Sequence, residues 1–371
     1  MNQSAPSISK WNRAWTFVNP LRTIHLRGWI HLLISIVIML VLFTILMIGS
    51  FNWLDLDFFY NAPDENTRIF RIKQAAFLVI QIFLSGLVLG VGAYLIQTLT
   101  KNRFADSSII GIGNINLLSM VLLLVVIGFN DVNAQTLYDL TSIQPIIFFL
   151  TPLILLVIYY YFCRENERFN FKKMILTGII INFIVLAIVP VIANIYLQKL
   201  GFVFLNRLAS GSLTPLMSTI NDHHGELNHS FTPLYIAFAM VVCGFFVLAL
   251  ISNKIRIIAA NQQVANQLGI NVKLYSVLTF AIVALMVGAS YAMNGNLIFI
   301  GLVASNIAIR IQRSNFKKGI AMSGAMGASI YLSAVLILYF GLSFKQEWVN
   351  LSTPILIAPY FIILISKKEK V

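Results

Sequence analysis

Apolar residues in this chain come in long blocks separated by polar connectors. From Leu32 to Gly49 no charged side chain occurs. The surrounding block, Gly28–Ser50, meets the roughly 20 apolar residues a helix needs to cross about 30 Å of hydrocarbon. Further blocks follow at 74–97, 108–128, 143–162, 174–195, 232–252, 274–293, 296–309, 319–340 and 352–366. The eighth and tenth are short, and Gly295 and Arg310 bracket the eighth. Strands of a membrane barrel would alternate apolar and polar residues with period two. These blocks are apolar all round, so helices are the way their backbone is satisfied in lipid. The pattern predicts an all-α polytopic membrane protein with about ten transmembrane helices.

Composition removes the soluble alternatives. Hydrophobic residues make up 58% of the chain and charged residues 11%, against about half and about a quarter in soluble domains. A net charge of +13 would suit a nucleic-acid binder, but its distribution points elsewhere. Lys10, Arg13, Arg22 and Arg27 precede the first block, whereas Asp55, Asp57, Asp64 and Glu65 follow it. The next basic groups are Lys101 and Arg103, then Arg164, Arg168, Lys172 and Lys173, then Lys254, Arg256 and Lys273. Arg310, Arg313, Lys317 and Lys318 come after the eighth block, and Lys367, Lys368 and Lys370 close the chain. Every second connector is basic, which is the positive-inside distribution. It places both termini in the cytoplasm and requires an even number of spans. Residues 1–27 then read as a cytoplasmic segment without a removable signal peptide, 28–366 as one transmembrane domain, and 367–371 as a cytoplasmic tail. Cys163 and Cys243 read as small apolar residues rather than a disulfide.

Little in the chain suggests bond chemistry. No Gly-rich loop ends in Gly-Lys-Ser/Thr, and the blocks hold almost no ionisable residue away from their ends. Ion-coupled carriers place such residues at mid-membrane depth. His223, His224 and His229, with Asp222 and Glu226, form the one metal-capable group, on the external connector 196–231, where a solvated loop is the expected reading; no metal site is predicted. Gly86, Gly90, Gly92 and Ala93 line one block, and Gly319, Ser323, Gly324, Gly327 and Ser329 another; small residues of this kind let helices approach closely in lipid. On the inner connector 253–273, Asn261–Gly269 reads as a short amphipathic helix with Val264, Ala265 and Leu268 on its apolar face and Gly269 as its stop.

Two stretches carry a specific resemblance. Residues 86–112 read GLVLGVGAYLIQTLTKNRFADSSIIGI. This resembles the Gly-rich helix and Asn-Pro-Leu-Ala-Asp-Pro segment of the FecCD family, with Gln97, Asn102, Ala105, Asp106 and Gly111 on matching positions. From 260 onward, Ala265, Leu268 and Gly269 resemble the family's cytoplasmic coupling region. Phe299, Gly301 and Leu302 resemble its Gly-Phe-Val-Gly-Leu, and Ser314, Lys317 and Lys318 its Gly-Ser-Asp-His-Arg-Arg. Leu176-Thr177-Gly178 and Gly211-Ser212 fall between in order. The chain departs from the family where Arg103, Ser107, Asn296 and Ser305 replace prolines and Asn306 replaces a His. Gln262 and Gln263 stand where acids are usual.

The resemblance implies a permease subunit of an ATP-binding cassette importer in the bacterial cytoplasmic membrane. It implies a second permease subunit, identical or paralogous, two ATPase subunits and an extracellular substrate-binding lipoprotein. ATP and Mg would sit on the ATPase, with no cofactor on this chain, and no nucleic acid is expected as a partner. Asn261, Gln262, Gln263, Ala265, Leu268 and Gly269, within a coupling helix at about 259–269, would receive the ATPase. Gln97, Asn102, Ala105, Asp106, Gly111, Gly211, Ser212, Gly301, Ser305 and Asn306 would belong to the translocation pathway. External Arg68, Arg71, Lys73 and Arg207 would dock the acidic binding protein. The Asn-Arg pair at 102–103 resembles siderophore-type branches, which favours a ferric siderophore as cargo. Haem or cobalamin import, or an ATPase-independent channel or carrier, are the other readings.

Overall fold

A computed structural model of the protein describes residues 9–52, 65–127, 134–165, 168–196, 218–221, 227–312, 315–344 and 346–366. Among the described residues, ten apolar helices overlap the ten blocks. They are α1 (Ser9–Asn52), α2 (Glu65–Thr100), α4 (Ile112–Ile127), α5 (Ala134–Phe162), α6 (Phe171–Tyr196), α7 (Thr232–Ala260), α9 (Val272–Asn294), α10 (Ile300–Gln312), α11 (Phe316–Val335) and α12 (Gln346–Ser366). A π-helical turn, Leu336–Gly341, extends α11. Two short helices lie in connectors, α3 (Ser107–Ile110) and α8 (Gln262–Gln267). Connector hairpins pair β1 (Arg164–Glu165) with β2 (Arg168–Phe169), and β3 (Ser218–Asn221) with β4 (Leu227–Ser230). Arg207, Gly211, Ser212, Asp222, His223, His224, Glu226 and Ser314 lie outside the described residues, and His229 falls in β4.

α2, α9 and α11 form the centre. Their apolar windows are 61%, 50% and 61% buried, against 17% for α1 and α6, so those two helices are peripheral. Small residues make the central contact. A side-chain carbon added at Gly86 would stand 2.6 Å from the Gly327 carbonyl oxygen, and one at Gly90 would run into the Ser323 carbonyl. Ser323 Oγ donates to the Gly90 carbonyl at 2.6 Å. The two glycine-bearing lines expected to permit close packing therefore pack against each other, with backbone touching backbone.

Helix boundaries differ from the apolar blocks wherever polar residues continue a helix into water. α7 runs to Ala260 and α9 starts at Val272, so the inner connector is half as long as the hydropathy suggests. No Gly or Pro interrupts 253–260, and cations on an emerging helix cost nothing. α10 has only 13 residues, about 20 Å at 1.5 Å per residue. It cannot start earlier because Gly295 (φ 74) and Phe299 (φ 69) both have positive φ, which an α-helix does not accept. The turn between α9 and α10 is covered by protein, with Asn294, Gly295 and Leu297 buried. Non-helical backbone inside a membrane protein requires such cover.

Candidate functional site

The first of two non-helical connectors is 101–111, between α2 and α4. Lys101 turns the chain with φ 52. Asn102 Oδ1 then accepts the Phe104 N–H at 2.9 Å, and the Ala105 N–H donates to the Asn102 carbonyl. Ala105 and Asp106 are buried, and Asp106 precedes α3 in an extended conformation. Ser108 Oγ donates to Asp106 Oδ2 at 2.9 Å, while Oδ1 is buried without a hydrogen-bond partner among the described residues. Burial pushes the Asp106 carboxyl above the usual carboxylate range, and hydrogen bonds from Ser107 and Ser108 oppose that shift only in part. Gly111 ends α3 with φ 95 and donates its N–H to the Ser108 carbonyl at 3.2 Å.

α10 packs directly on this connector. Asn306 Nδ2 donates to the Arg103 carbonyl at 2.8 Å, in the place where a His was expected. A carbon added at Gly301 would stand 2.5 Å from the Leu89 carbonyl oxygen and 2.9 Å from Asp106 Oδ1. Gly301 is therefore the residue that lets α10 lie against both α2 and Asp106. Gln97 and Ser305 are also buried; Ser305 Oγ bonds within its own helix, and the Gln97 amide has no partner among the described residues. Gly301 is thus brought to Asp106 and Asn306 to the connector backbone at Arg103, while Gly111 faces Asn182 and Gly178 of α6 and Asn102 stays half-buried. Gly178, in the 176–178 match, has the same logic: a carbon there would meet the Ile109 carbonyl oxygen at 2.9 Å and Tyr159 Oη at 2.8 Å.

Amides that hydropathy overlooks join this connector to the second one, 295–299. Asn182 of α6 donates to the Ser108 and Ile109 carbonyls at 2.9 and 3.0 Å. Its oxygen accepts from Asn114 Nδ2 at 3.0 Å, and Asn114 in turn accepts from Asn296 Nδ2 at 3.3 Å. Ser107 Oγ and Tyr291 Oη lie 3.0 Å apart. Just before the second connector, Asn294 bonds to Ser85 Oγ, to the Gln81 carbonyl and to Gln81 Nε2. Asn350 of α12 donates to the Asn294 carbonyl at 2.8 Å and accepts from Tyr331 Oη at 2.7 Å. The two breaks in the helical bundle are therefore stitched together and to α2, α6, α11 and α12. For Gln81, Asn114 and Asn182 the only trace in the sequence is an isolated amide inside an apolar block.

At the inner end, Asn261 Oδ1 caps α8 by accepting the Gln263 N–H at 2.9 Å and the Val264 N–H at 3.4 Å. Gly269, at φ 73, closes it, with Ile270 N–H reaching back to the Ala265 carbonyl at 3.0 Å. The helix is shorter than the expected 259–269, because Ala260 still belongs to α7 and Asn261 is extended. Ala265 is buried, whereas Val264 and Leu268, expected on its face, point outward. At six residues the helix is too short for one face to gather all three. At the outer end, Arg68, Arg71 and Lys73 lie in the first turns of α2, Arg68 and Lys73 exposed and Arg71 half-buried.

The FecCD transport family model matches residues 31–367. The chain belongs to that family. Among relatives of this FecCD chain is the heme-iron transport system permease protein IsdF of Staphylococcus aureus strain bovine RF122 / ET3-1. It is 22% identical over 288 residues, covering 78% of this chain and 79% of that protein. The IsdF protein of S. aureus strain MSSA476 is 22% identical over 252 residues, 68% of each chain. A solved structure described as an inward-facing conformation of an ABC transporter, assigned to the metal-chelate type, superposes with a TM-score of 0.67. That likeness has 17% identity and covers 89% of this chain and 98% of the other. At that identity it establishes the shared fold, a polytopic helical bundle.

Proposed function

We propose that this FecCD chain is the membrane-spanning subunit of an ATP-driven importer carrying a ferric siderophore across the bacterial cytoplasmic membrane. The observation that carries the reading is the family match from 31 to 367, over a fold whose inner side presents a capped, exposed turn at 261–269. A second permease subunit would complete the pathway, two ATPase subunits would bind the inner turn, and a lipoprotein would deliver cargo at the outer face. Closure of the ATPases would reach the spans through α8 as rigid-body rocking. The joined connectors 101–111 and 295–299 would transmit that motion between α2, α9 and α10.

Haem is the second reading, favoured by the names of the S. aureus relatives. The test is uptake of radiolabelled iron, offered separately as ferric siderophores and as haem, in a strain deleted for this chain. Loss of siderophore uptake restored by the intact gene supports the proposal; loss confined to haem replaces it with the second reading. Transport by the purified chain alone in liposomes, driven by a gradient without an ATPase, would overturn both.

A further inference from the structure

The turn between α7 and α9 presents apolar side chains outward. Ala265 is fully buried, while Val264, Leu268 and Leu274 are 44%, 63% and 50% exposed. α7 has 29 residues, about 43 Å, and so exceeds the roughly 30 Å of hydrocarbon. Its last turns carry Lys254 and Arg256, both exposed. Lys254 Nζ bonds to Tyr275 Oη and lies over that ring, tying α7 to α9. Asn261 caps α8, Gly269 ends it, and Asn271 Oδ1 caps α9 by accepting the Leu274 N–H at 3.0 Å. The apolar knob is therefore presented on a braced support.

Its rim carries one sign of charge. No Asp or Glu occurs between Ile251 and Lys273, while Lys254, Arg256 and Lys273 are exposed there. Gln262 and Gln263 leave the helix itself neutral. We infer that this turn fits an ATPase subunit whose receiving groove is apolar on its floor and acidic on its rim. That is the opposite rim charge from the one acids at 262 and 263 would select. The inference rests on the permease reading and adds the chemistry of the partner. Rim charges of this kind steer association and suppress wrong partners more than they add affinity, and salt screens them.

The test is association of the chain, in neutral-lipid nanodiscs, with each ATP-binding-cassette ATPase of the same organism, at 50 and 300 mM salt. The parent is expected to associate at least tenfold more slowly at the higher salt. Arg256→Glu with Lys273→Glu should slow association at least tenfold at low salt and remove most of the salt dependence. Gln263→Glu should slow it in the same direction, and Leu268→Ala should speed dissociation while leaving the salt dependence intact. A charge-reversed chain that keeps the parent's rate and salt dependence overturns the inference while the permease reading stands. A parent that binds no ATPase at either salt removes the permease reading and this inference with it.

Discussion

Asp106 is a carboxyl group placed where ionisation is costly. Its folded-state affinity for a proton is raised by burial above the ordinary value of 3.8. Below about pH 3.8 both folded and unfolded chains are protonated and the penalty is absent. As pH rises through the raised value, the folded state must either ionise in a buried site or hold its proton, and stability falls. Asp106→Asn removes that penalty, so its melting temperature in detergent should increasingly exceed the parent's as pH rises above the ordinary carboxylate range. Parallel pH dependences for the two chains would contradict this. Asn182 is the reverse case, an uncharged side chain with every polar atom engaged. Asn182→Leu removes the Asn182 donor from the Ile109 carbonyl and the acceptor from the Asn114 amide, while the Ser108 carbonyl keeps the Gly111 N–H. The expected loss is about 1–3 kcal/mol for each group that stays buried, seen as a lower detergent-unfolding midpoint. Asp106 and Gly301 could be read in the sequence because they sit in recognisable strings. Asn114, Asn182, Asn294 and Asn350 could not, since one amide hardly alters a block's hydropathy; Asn296 stood out only as a missing proline, with no sign that it finds Asn114 182 residues away.

Among elements, α2 and α11 were the most legible, because repeated glycines announce close approach without naming the partner. Gly90→Val would drive a branched side chain into the Ser323 carbonyl. Overpacking of this kind costs about 1–3 kcal/mol, and the rigid backbone opposite sets the expectation at the upper end. Detergent-solubilised protein should report it as a lower unfolding temperature, with Leu87→Val as the volume control. The position of α8 was also legible, but not which way it faces. Polar helical spacing suggested an apolar face of Val264, Ala265 and Leu268, and the fold buries only the smallest of them. Ala265→Glu places a charge in that buried position. It should abolish recovery of the ATPase with the permease while the chain still inserts; recovery at the parent's yield would exclude α8 as the docking element. The short α10 was expected from its brackets, while the left-handed Phe299 that fixes its start has no signature in the sequence.

For the whole molecule, alternating charge and apolar blocks specified ten helices and their direction, because those properties are local sums. Which helices are central was not specified, since α1 and α6 are at least as apolar as α2. The outer face carries the remaining prediction. If Arg71 helps orient an acidic binding protein, Arg71→Glu should slow docking of that protein and reduce its sensitivity to salt. The change in affinity should be small, because exposed ion pairs contribute about 0–1 kcal/mol each. Surface-binding kinetics at two salt concentrations would measure it, and an unchanged rate would take Arg71 out of the docking surface.

The contact of α2 with α11 has a consequence for how the protein is made. Gly90 and Ser323 are 233 residues apart, a separation that takes roughly 10 to 50 s to synthesise at about 5–20 residues per second. Throughout that time the glycine-lined side of the second helix to leave the ribosome has no permanent neighbour. A nascent chain arrested before Phe316 would keep that side open in the bilayer, and should be cleared by membrane proteases faster than one arrested after Gly341.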